Sequence, residues 1–295
     1  MTQAGPAPDP DQREREAQLT ETVLASFAGT PDGRLRELVT ALTRHLHAFA
    51  REVRLTEPEW QAAIAFLTDT GHLTDDRRQE FILLSDVLGL SMQTITINHA
   101  AAGPVTESTV LGPFFVPDAP RLPDGGDLAR GAPGEPCWVT GSVRDEAGNP
   151  VPGALLEVWE ADEDGRYDVQ YDDRRLAARG RLTAGPDGEF RFWALTPTPY
   201  PIPDDGPVGR LLAATGRSPM RAPHLHFMVS AGGFRTLVTH IFVAGDDLAS
   251  DSVFGIRQSL VKPFERQPPG APTPDGRAVA GSWTRVRFDI VLAAD

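Results

Sequence analysis

The first hundred residues carry the periodicity of amphipathic helices. In the strongest segment the apolar side chains recur every three or four positions, at Leu35, Leu38, Leu42, Leu46, Phe49 and Val53. This spacing places them on one face of a helix. Thr56-Glu-Pro-Glu59 supplies the N-cap, first-turn proline and capping-box glutamate of a helix start. We therefore predict several helices here, the last over about Asp75–Leu88.

Beyond about residue 105 the pattern changes to the alternation of β-strands. Val286, Phe288 and Ile290 alternate with polar neighbours, so one face of that segment is apolar. Five further short runs are predicted strands, over residues 138–143, 155–161, 190–194, 224–229 and 237–243. Turn signals containing Gly or Pro separate several of them. This order predicts a mainly β protein with an α-helical N-terminal region and an antiparallel β-sandwich core.

Glycine and proline divide the chain in the same way. Residues 1–100 contain five Pro and five Gly, whereas residues 101–295 contain 22 and 23. Because both residues interrupt helices, long helices are expected only in the first part. We predict a disordered tail at 1–12, a helical region at 13–104 and the β-sandwich at 105–295.

Charge and cysteine content narrow the class of protein. The net charge of −13 disfavours binding to nucleic acid, whose phosphates repel an acidic surface. The single cysteine, Cys137, allows neither an intramolecular disulfide nor a thiolate metal cluster. No apolar run is long enough to span a bilayer, and the acidic N-terminus lacks a secretory signal. We therefore expect a cytoplasmic protein that does not insert into membranes.

A pair of histidines indicates a metal site. His224 and His226 fall in a predicted strand, where residues two apart share a face and can bind one ion. The alternative is that both are ordinary surface or hydrogen-bonded histidines. His45 and His47 have the same spacing but lie in a helical pattern, where such residues point apart.

The chain has only three tyrosines, Tyr167, Tyr171 and Tyr200. A phenolate is a hard oxygen ligand, but the free pKa of about 10 means that only a strong Lewis acid keeps it ionised at neutral pH. Two tyrosinates and two histidines would favour a ferric ion over zinc, copper(I) or an iron–sulfur cluster. Spacing alone does not show that such residues converge.

Four motifs give the chain a resemblance to the intradiol ring-cleavage dioxygenases. They are Leu111-Gly-Pro-Phe-Phe115, the run from Gly148 to Asp168, Thr198-Pro-Tyr200-Pro-Ile-Pro203 and Arg221-Ala-Pro-His224-Leu-His226-Phe. The similarity runs in order from about residue 20 to 292, and the motifs together are highly specific. One departure is Ala222-Pro223, where the family usually has Pro-Ala, but the spacing from arginine to histidine is kept.

The resemblance implies one non-haem Fe(III) per chain, held by Tyr167, Tyr200, His224 and His226. By the same analogy, Tyr200 is the ligand that the substrate displaces, and it then acts as a base. Arg221 lies beside the iron and stabilises negative charge on the ring. Tyr200 and Arg221 are therefore the predicted catalytic residues. Without the resemblance, Arg221 is read as part of a surface ion pair.

Two segments resemble the hydroxyquinol branch of the family. One is Asp168-Val-Gln-Tyr-Asp172, and the other combines residues 238–246 with residues 251–255. The catechol branch usually has glutamine where His240 stands. The resemblance implies cleavage of hydroxyquinol (benzene-1,2,4-triol) by O2 to 3-hydroxy-cis,cis-muconate, equivalent to maleylacetate. The alternative enzyme is a catechol or substituted-catechol 1,2-dioxygenase.

The resemblance also implies a substrate pocket. Its predicted residues are Leu83, Asp86, Val110, Leu111, Gly112, Pro113, Phe114, Ile202, Pro203, Arg221 and His240. A carboxylate in an apolar wall is costly unless it meets a donor, and a third substrate hydroxyl would be such a donor for Asp86. Alternatively, Asp86 caps a helix or pairs with an arginine. No basic residue is evident to receive the carboxylate of protocatechuate.

Two partners follow from the N-terminal helices. Their apolar faces must be covered, and in the family these helices form a homodimer that can enclose a phospholipid or fatty acid. A non-catalytic binding sandwich is the main alternative outside enzymes, although the four ligand residues argue against it. A zinc or copper hydrolase is disfavoured because no third histidine or carboxylate follows His224 in a recognisable motif.

Overall fold

The computed structural model describes residues 9–75, 78–99, 103–172, 175–245, 248 and 251–295. The chain divides into two compact units, the first ending at Asp69 and the second beginning at Thr70. Helices α1 (Pro10–Ser26), α2 (Gly33–Glu52) and the greater part of α3 (Glu57–Leu73) form the first unit. The predicted helical segments of this region are confirmed.

Side-chain caps explain where these helices begin. The Asp9 carboxylate accepts a hydrogen bond from the backbone N–H of Gln12 at 2.7 Å, which satisfies one of the free donors of the first turn of α1. The tail predicted at 1–12 is therefore corrected from Pro10 onward, while residues 1–8 lie outside the described part of the chain. At α3 the capping box forms, with the backbone N–H of Thr56 donating to Glu59 at 2.9 Å.

The apolar face of α2 is exposed in the single chain. No residue of this helix is buried, and its outward apolar side chains are Leu35, Leu38, Leu42, Leu46 and Phe49. An exposed stripe of this length is typical of a surface covered by another molecule.

Among its described residues, the second unit contains the α-helices α4 (Glu80–Val87), α5 (Leu90–Asn98) and α6 (Pro207–Ala214). The helix predicted from Asp75 begins only at Glu80, and residues 76–77 lie outside the described range. The sequence analysis missed α5 and α6. Leu83, Val87 and Met92 of α4 and α5 share a core with side chains from beyond residue 105, among them Val110, Ile202 and Leu212. Helices α4 and α5 therefore belong to the second compact unit, which begins at Thr70.

No single helix among the described residues has the length and hydropathy of a membrane span. Helices α4 and α5 pass that test only when joined across a 75° bend. Gly89, at a φ of 74°, makes this bend, in a backbone region that favours glycine.

The described residues of the second unit also form two five-stranded sheets. In the first sheet, β1 (Pro136–Arg144) pairs with β4 (Glu189–Leu195), β11 (Trp283–Arg287) and β12 (Ile290–Val291), and β10 (Glu265–Gln267) lies on β11. The order in the second sheet is β3 (Arg179–Thr183), β2 (Leu155–Trp159), β7 (His224–Ser230), β8 (Leu237–Val243) and β9 (Val261–Lys262). A small ribbon pairs β5 (Tyr200–Pro201) with β6 (Met220–Arg221).

The sandwich prediction is confirmed, but its antiparallel description is only partly right. Strand β1 runs parallel to β11 and β12, and β8 runs parallel to β9. Strands that pair in parallel need a long crossover, and here the chain between β1 and β11 builds the whole second sheet. Between the sheets, side chains such as Phe192, Leu156 and Phe227 form the main core. Strand β7 lies in the middle of its sheet, between β2 and β8. Backbone pairing on both sides therefore holds the positions of His224 and His226.

Candidate metal centre and adjoining cavity

Four side chains bring their donor atoms together on one face of the second sheet. His224 and His226 project from one face of β7, Tyr167 follows β2, and Tyr200 lies on β5. Neighbouring donor atoms lie 2.9–3.2 Å apart in a closed ring, from Tyr167 Oη to Tyr200 Oη, His224 Nε2 and His226 Nε2 and back to Tyr167 Oη. All four side chains are buried. Their convergence is a property that a metal-binding set requires.

The third tyrosine lies outside this ring. Tyr171 donates its phenol proton to Asp162 at 2.6 Å, and the Arg175 guanidinium lies 4.3 Å from its ring centroid. The hydrogen bond to Asp162 raises the pKa of Tyr171 to about 12. Tyr171 is therefore held as a neutral phenol by its own partners.

Backbone and ring contacts orient the two histidines. The Nδ1 of His224 lies 2.6 Å from the Ala222 carbonyl. Donation to that carbonyl leaves the lone pair of Nε2 directed at the ring of donor atoms. The His226 ring stacks on Trp159, its neighbour across the strand pair, at a centroid distance of 4.6 Å. A Cβ on Gly112, which has a φ of 76°, would come within 3.2 Å of His226, so the predicted pocket residue Gly112 adjoins the site.

Burial sets the ionisation of the donor atoms. It lowers the pKa of His224 and of His226 well below the ordinary value, so both imidazoles are neutral, which is the form that binds metals. Burial raises the pKa of Tyr167 and of Tyr200, so ionised phenolates require a nearby cation of high charge density. The donor set therefore fits a strongly Lewis-acidic metal ion.

A third histidine lies beside the first two. His240 on β8 is directly opposite His226 in the strand register, and their ring centroids are 4.0 Å apart. The ligand atoms of His224, His226 and His240 all lie within 4.8 Å of one another. No sequence motif near His224 indicated this third histidine, because strand pairing joins residues that share no motif. The Nδ1 of His240 contacts the Thr109 hydroxyl, and its buried Nε2 has no hydrogen-bond partner among the described residues.

Arg221 stands directly opposite Tyr200 in the β5–β6 ribbon. Its side chain is buried, and its Nε donates to Asp251 at 2.6 Å. Burial alone would lower the pKa of Arg221, but Asp251 and the two tyrosine oxygens raise it above the ordinary value. The guanidinium is therefore a permanent positive charge beside the donor ring, and the alternative of a surface ion pair is not what the structure shows.

A cavity of about 700 Å³ adjoins the site. Five predicted pocket residues line it, namely Leu83, Pro113, Phe114, Ile202 and Pro203. Val110 packs in the same core as Leu83 and Ile202. Phe114 stacks on Tyr167 at 4.5 Å, which joins the cavity wall to the donor ring. Leu111 is 40% exposed and is not part of this lining.

Charged residues also line the cavity, among them Asp164, Asp204, Asp205, Arg78 and Arg166. Arg78 is paired with the buried Glu80 and with Asp205 at 3.0 and 2.7 Å. Arg166 is a second basic residue at this cavity. The sequence patterns indicated neither arginine as part of the pocket. Carboxylates outnumber arginines around the opening.

Asp86 is buried at the end of α4, with 3% of its surface exposed. Its Oδ1 has no hydrogen-bond partner among the described residues. Burial raises the pKa of Asp86, although a contact with Ser91 and the charge of Arg221 partly oppose this. Among the described ion pairs, Arg221 is paired with Asp251 and Asp86 has no partner, so the structure gives no support to the arginine-pair alternative.

A second buried ion pair, which the sequence patterns did not indicate, lies beside the donor ring. Arg179 donates through Nε to Asp168 at 2.6 Å, and it also donates to the Phe114 carbonyl at 3.1 Å. One guanidinium thereby connects the residue after Tyr167 to the cavity wall. The only available signal was the position of Asp168 beside a predicted ligand, because Arg179 lies in a strand that the pattern did not reveal.

Comparisons with known proteins cover nearly the whole chain. The family profile described as "Dioxygenase" matches residues 110–294, and "Catechol dioxygenase N terminus" matches residues 32–105. The chain is 69% identical to hydroxyquinol 1,2-dioxygenase of Nocardioides simplex, over 96% of this chain and 97% of that protein. It is 63% identical to the enzyme of the same name from Rhodococcus opacus, over 95% and 94%. The solved hydroxyquinol 1,2-dioxygenase of Pseudomonas putida DLL-E4 superposes with a TM-score of 0.89 at 41% identity, over 96% and 100%.

Proposed function

Because this chain belongs to the intradiol ring-cleavage dioxygenases, we propose that it cleaves hydroxyquinol with O2 to 3-hydroxy-cis,cis-muconate, equivalent to maleylacetate. The chain is thus an oxidoreductase, and its substrate and metal are the proposed parts. The observation that carries the substrate is the buried Oδ1 of Asp86, which has no hydrogen-bond partner among the described residues. Leu83, one turn before Asp86 on α4, lines the adjoining cavity. The names of the relatives support the same choice.

The proposed metal is one Fe(III) per chain, bound by Tyr167, Tyr200, His224 and His226. When bound, it supplies the Lewis acidity that activates a vicinal diol toward O2. Two neutral imidazoles and two phenols with raised pKa values support a ferric ion, since zinc is a weaker acid toward buried phenols. The nearby His240 keeps zinc as the alternative ion, and metal analysis of the purified protein decides between them.

Each proposed residue has a separate task. Tyr200 would be ionised when the metal is bound, and its Oη would then accept a proton from a substrate hydroxyl as the diol binds, because burial raises the pKa of this phenol. Arg221 stabilises negative charge that develops on the ring. Leu83, Phe114 and Ile202 hold the ring and exclude water, and Asp86 accepts the third hydroxyl.

Val110, Leu111, Gly112, Pro113, Pro203 and His240 complete the proposed substrate pocket. His240 packs against the ring of His226, and a Cβ on Gly112 would lie 3.2 Å from that ring. Pro113 and Pro203 line the cavity. The unpartnered Nε2 of His240 supports a polar contact with substrate or O2. The assignment of Leu111 to the substrate pocket rests on the family resemblance alone.

We further propose that the protein is cytoplasmic and forms a homodimer through its N-terminal helices. The exposed apolar face of α2 supports the homodimer, because a partner chain would cover it. We also propose that the same apolar face can bind the chain of a phospholipid or fatty acid at the dimer interface. Light scattering at micromolar concentration should give twice the mass of one chain, 31.9 kDa. Leu42→Glu with Phe49→Glu should give the monomer, whereas Arg44→Glu on the same helix should not. A monomeric wild type would refute the dimer.

The decisive experiment compares substrates on the wild-type protein. We expect the specificity constant for hydroxyquinol to exceed that for catechol, with ring cleavage followed by product absorbance and O2 uptake. Equal or greater efficiency with catechol would favour the catechol 1,2-dioxygenase alternative. A colourless protein without ring cleavage would favour a binding sandwich, because tyrosinate-to-iron charge transfer gives the enzyme a red colour.

A further inference from the structure

The side chain of Asp251 is a buried carboxylate that has no role in the proposed reaction so far. It lies in the segment after β8, with 3% of its side chain exposed. Its Oδ1 accepts from Arg221 Nε at 2.6 Å, and its Oδ2 accepts from the backbone N–H of Gly255 at 3.0 Å. Because each oxygen has a different donor, the carboxylate is fixed at both ends.

The segment that carries Asp251 is itself tied to the strand of Arg221. The backbone N–H of Ser252 donates to the Met220 carbonyl of β6 at 3.0 Å, and Arg217 donates to the Ser252 carbonyl at 3.1 Å. A Cβ on Gly255 would lie 3.7 Å from both Arg221 Nη2 and Asp251 Oδ2. The segment therefore packs directly against the guanidinium.

The pairing uses only one nitrogen of the guanidinium among the hydrogen bonds of the described residues. Asp251 takes Nε, while the buried Nη2 of Arg221 has no hydrogen-bond partner among the described residues. An unpaired buried charge is costly, and a free arginine beside a cation site would also repel the ion. The carboxylate of Asp251 offsets both effects, since it pairs with Arg221 through Nε.

We propose that Asp251 is a positioning residue, which fixes Arg221 through Nε so that Nη2 is presented to the negative charge of the reacting ring. This inference rests on the proposed role of Arg221. Asp251 does not touch the substrate, and it acts only through Arg221.

The test uses the iron-loaded enzyme with Asp251→Asn. The amide keeps the shape but loses the charge, and it cannot accept from both Arg221 and Gly255. We expect kcat for hydroxyquinol to fall roughly tenfold to a hundredfold, as for loss of one electrostatic contact to a transition state. The KM, the affinity for 4-nitrocatechol as an uncleaved probe, the iron content and the resting absorption spectrum should stay near wild type. Ser252→Ala, which removes only a 3.3 Å contact to the Pro219 carbonyl in the same segment, should keep wild-type kcat.

A double-mutant cycle separates positioning from general damage. In an Arg221→Met background, adding Asp251→Asn should cause no further loss of kcat, because the residue through which Asp251 acts is already gone. Additive losses, wild-type kcat in Asp251→Asn, or loss of iron in that variant would each overturn the proposal. If Asp251→Asn does not fold, Asp251→Glu is used, and it must lower kcat while leaving KM and the spectrum unchanged.

A different result would contradict the proposed substrate. If the wild type cleaves catechol in preference to hydroxyquinol, the substrate assignment is wrong, and the same cycle is run with catechol. The inference about Asp251 is then judged from the kcat values of the single and double variants relative to wild type, whichever diol is used.

Discussion

Substitution of Asp86 tests the proposed pocket most directly. In hydroxyquinol the third hydroxyl would donate to the buried Oδ1, which lacks a partner among the described residues. A hydrogen bond to a charged group contributes roughly 1.5–3 kcal/mol net, which corresponds to about tenfold to a hundredfold in specificity. Asp86→Leu should therefore lower kcat/KM for hydroxyquinol by that factor. For catechol, which leaves Asp86 unpartnered, kcat/KM should rise or stay unchanged.

The matched control is Asp86→Asn, which keeps an acceptor oxygen and the volume of the side chain. Its loss of hydroxyquinol specificity should be smaller than that of Asp86→Leu. The assay is steady-state ring cleavage of both diols by each variant. An unchanged ratio between the two substrates in Asp86→Leu would refute this account of the pocket.

The raised pKa of Asp86 gives the same substitution a second readout. A carboxyl with a raised pKa in the folded state binds its proton more tightly than in the unfolded chain. Its ionisation therefore costs stability, and this cost is fully present above the folded pKa and disappears below the unfolded value. Asp86→Leu should melt at a higher temperature than wild type at neutral pH, and the difference should shrink as the pH falls through the raised pKa. A constant difference across that range would contradict the burial argument.

Three further predictions concern the metal and the substrate range. His226→Ala should lose both iron and colour by metal analysis and absorbance, whereas His45→Ala, on an exposed helix position, should keep both; full iron in the first variant would contradict the ligand assignment. Tyr200→Phe should weaken the charge-transfer band and strongly reduce turnover, while Tyr171→Phe, whose hydroxyl is bonded to Asp162, should retain the band. Protocatechuate should not be cleaved, because the carboxylates around the cavity outnumber its arginines; cleavage that disappears in Arg166→Ala would show instead that this arginine receives the substrate carboxylate.

Local patterns were sufficient for much of the fold. The period of Leu35–Val53 and the capping box at Thr56 predicted helices that the structure contains, and the predicted strand at 224–229 is β7. The short strands β5 and β6 were missed. They have two residues each, too few to show any period, and yet they place Tyr200 opposite Arg221.

Composition and alternation determined the helical first part, the sandwich and the common face of His224 and His226, because these depend on neighbours a few positions apart. The tertiary structure decided what depends on pairing between distant segments. Strand register placed His240 against His226, and the segment after β8 placed the Asp251 carboxylate on Arg221. Strand registers and buried ion pairs form between residues far apart in the chain. The free energy that selects them comes from burial in the complete fold. A short stretch of sequence therefore cannot predict them.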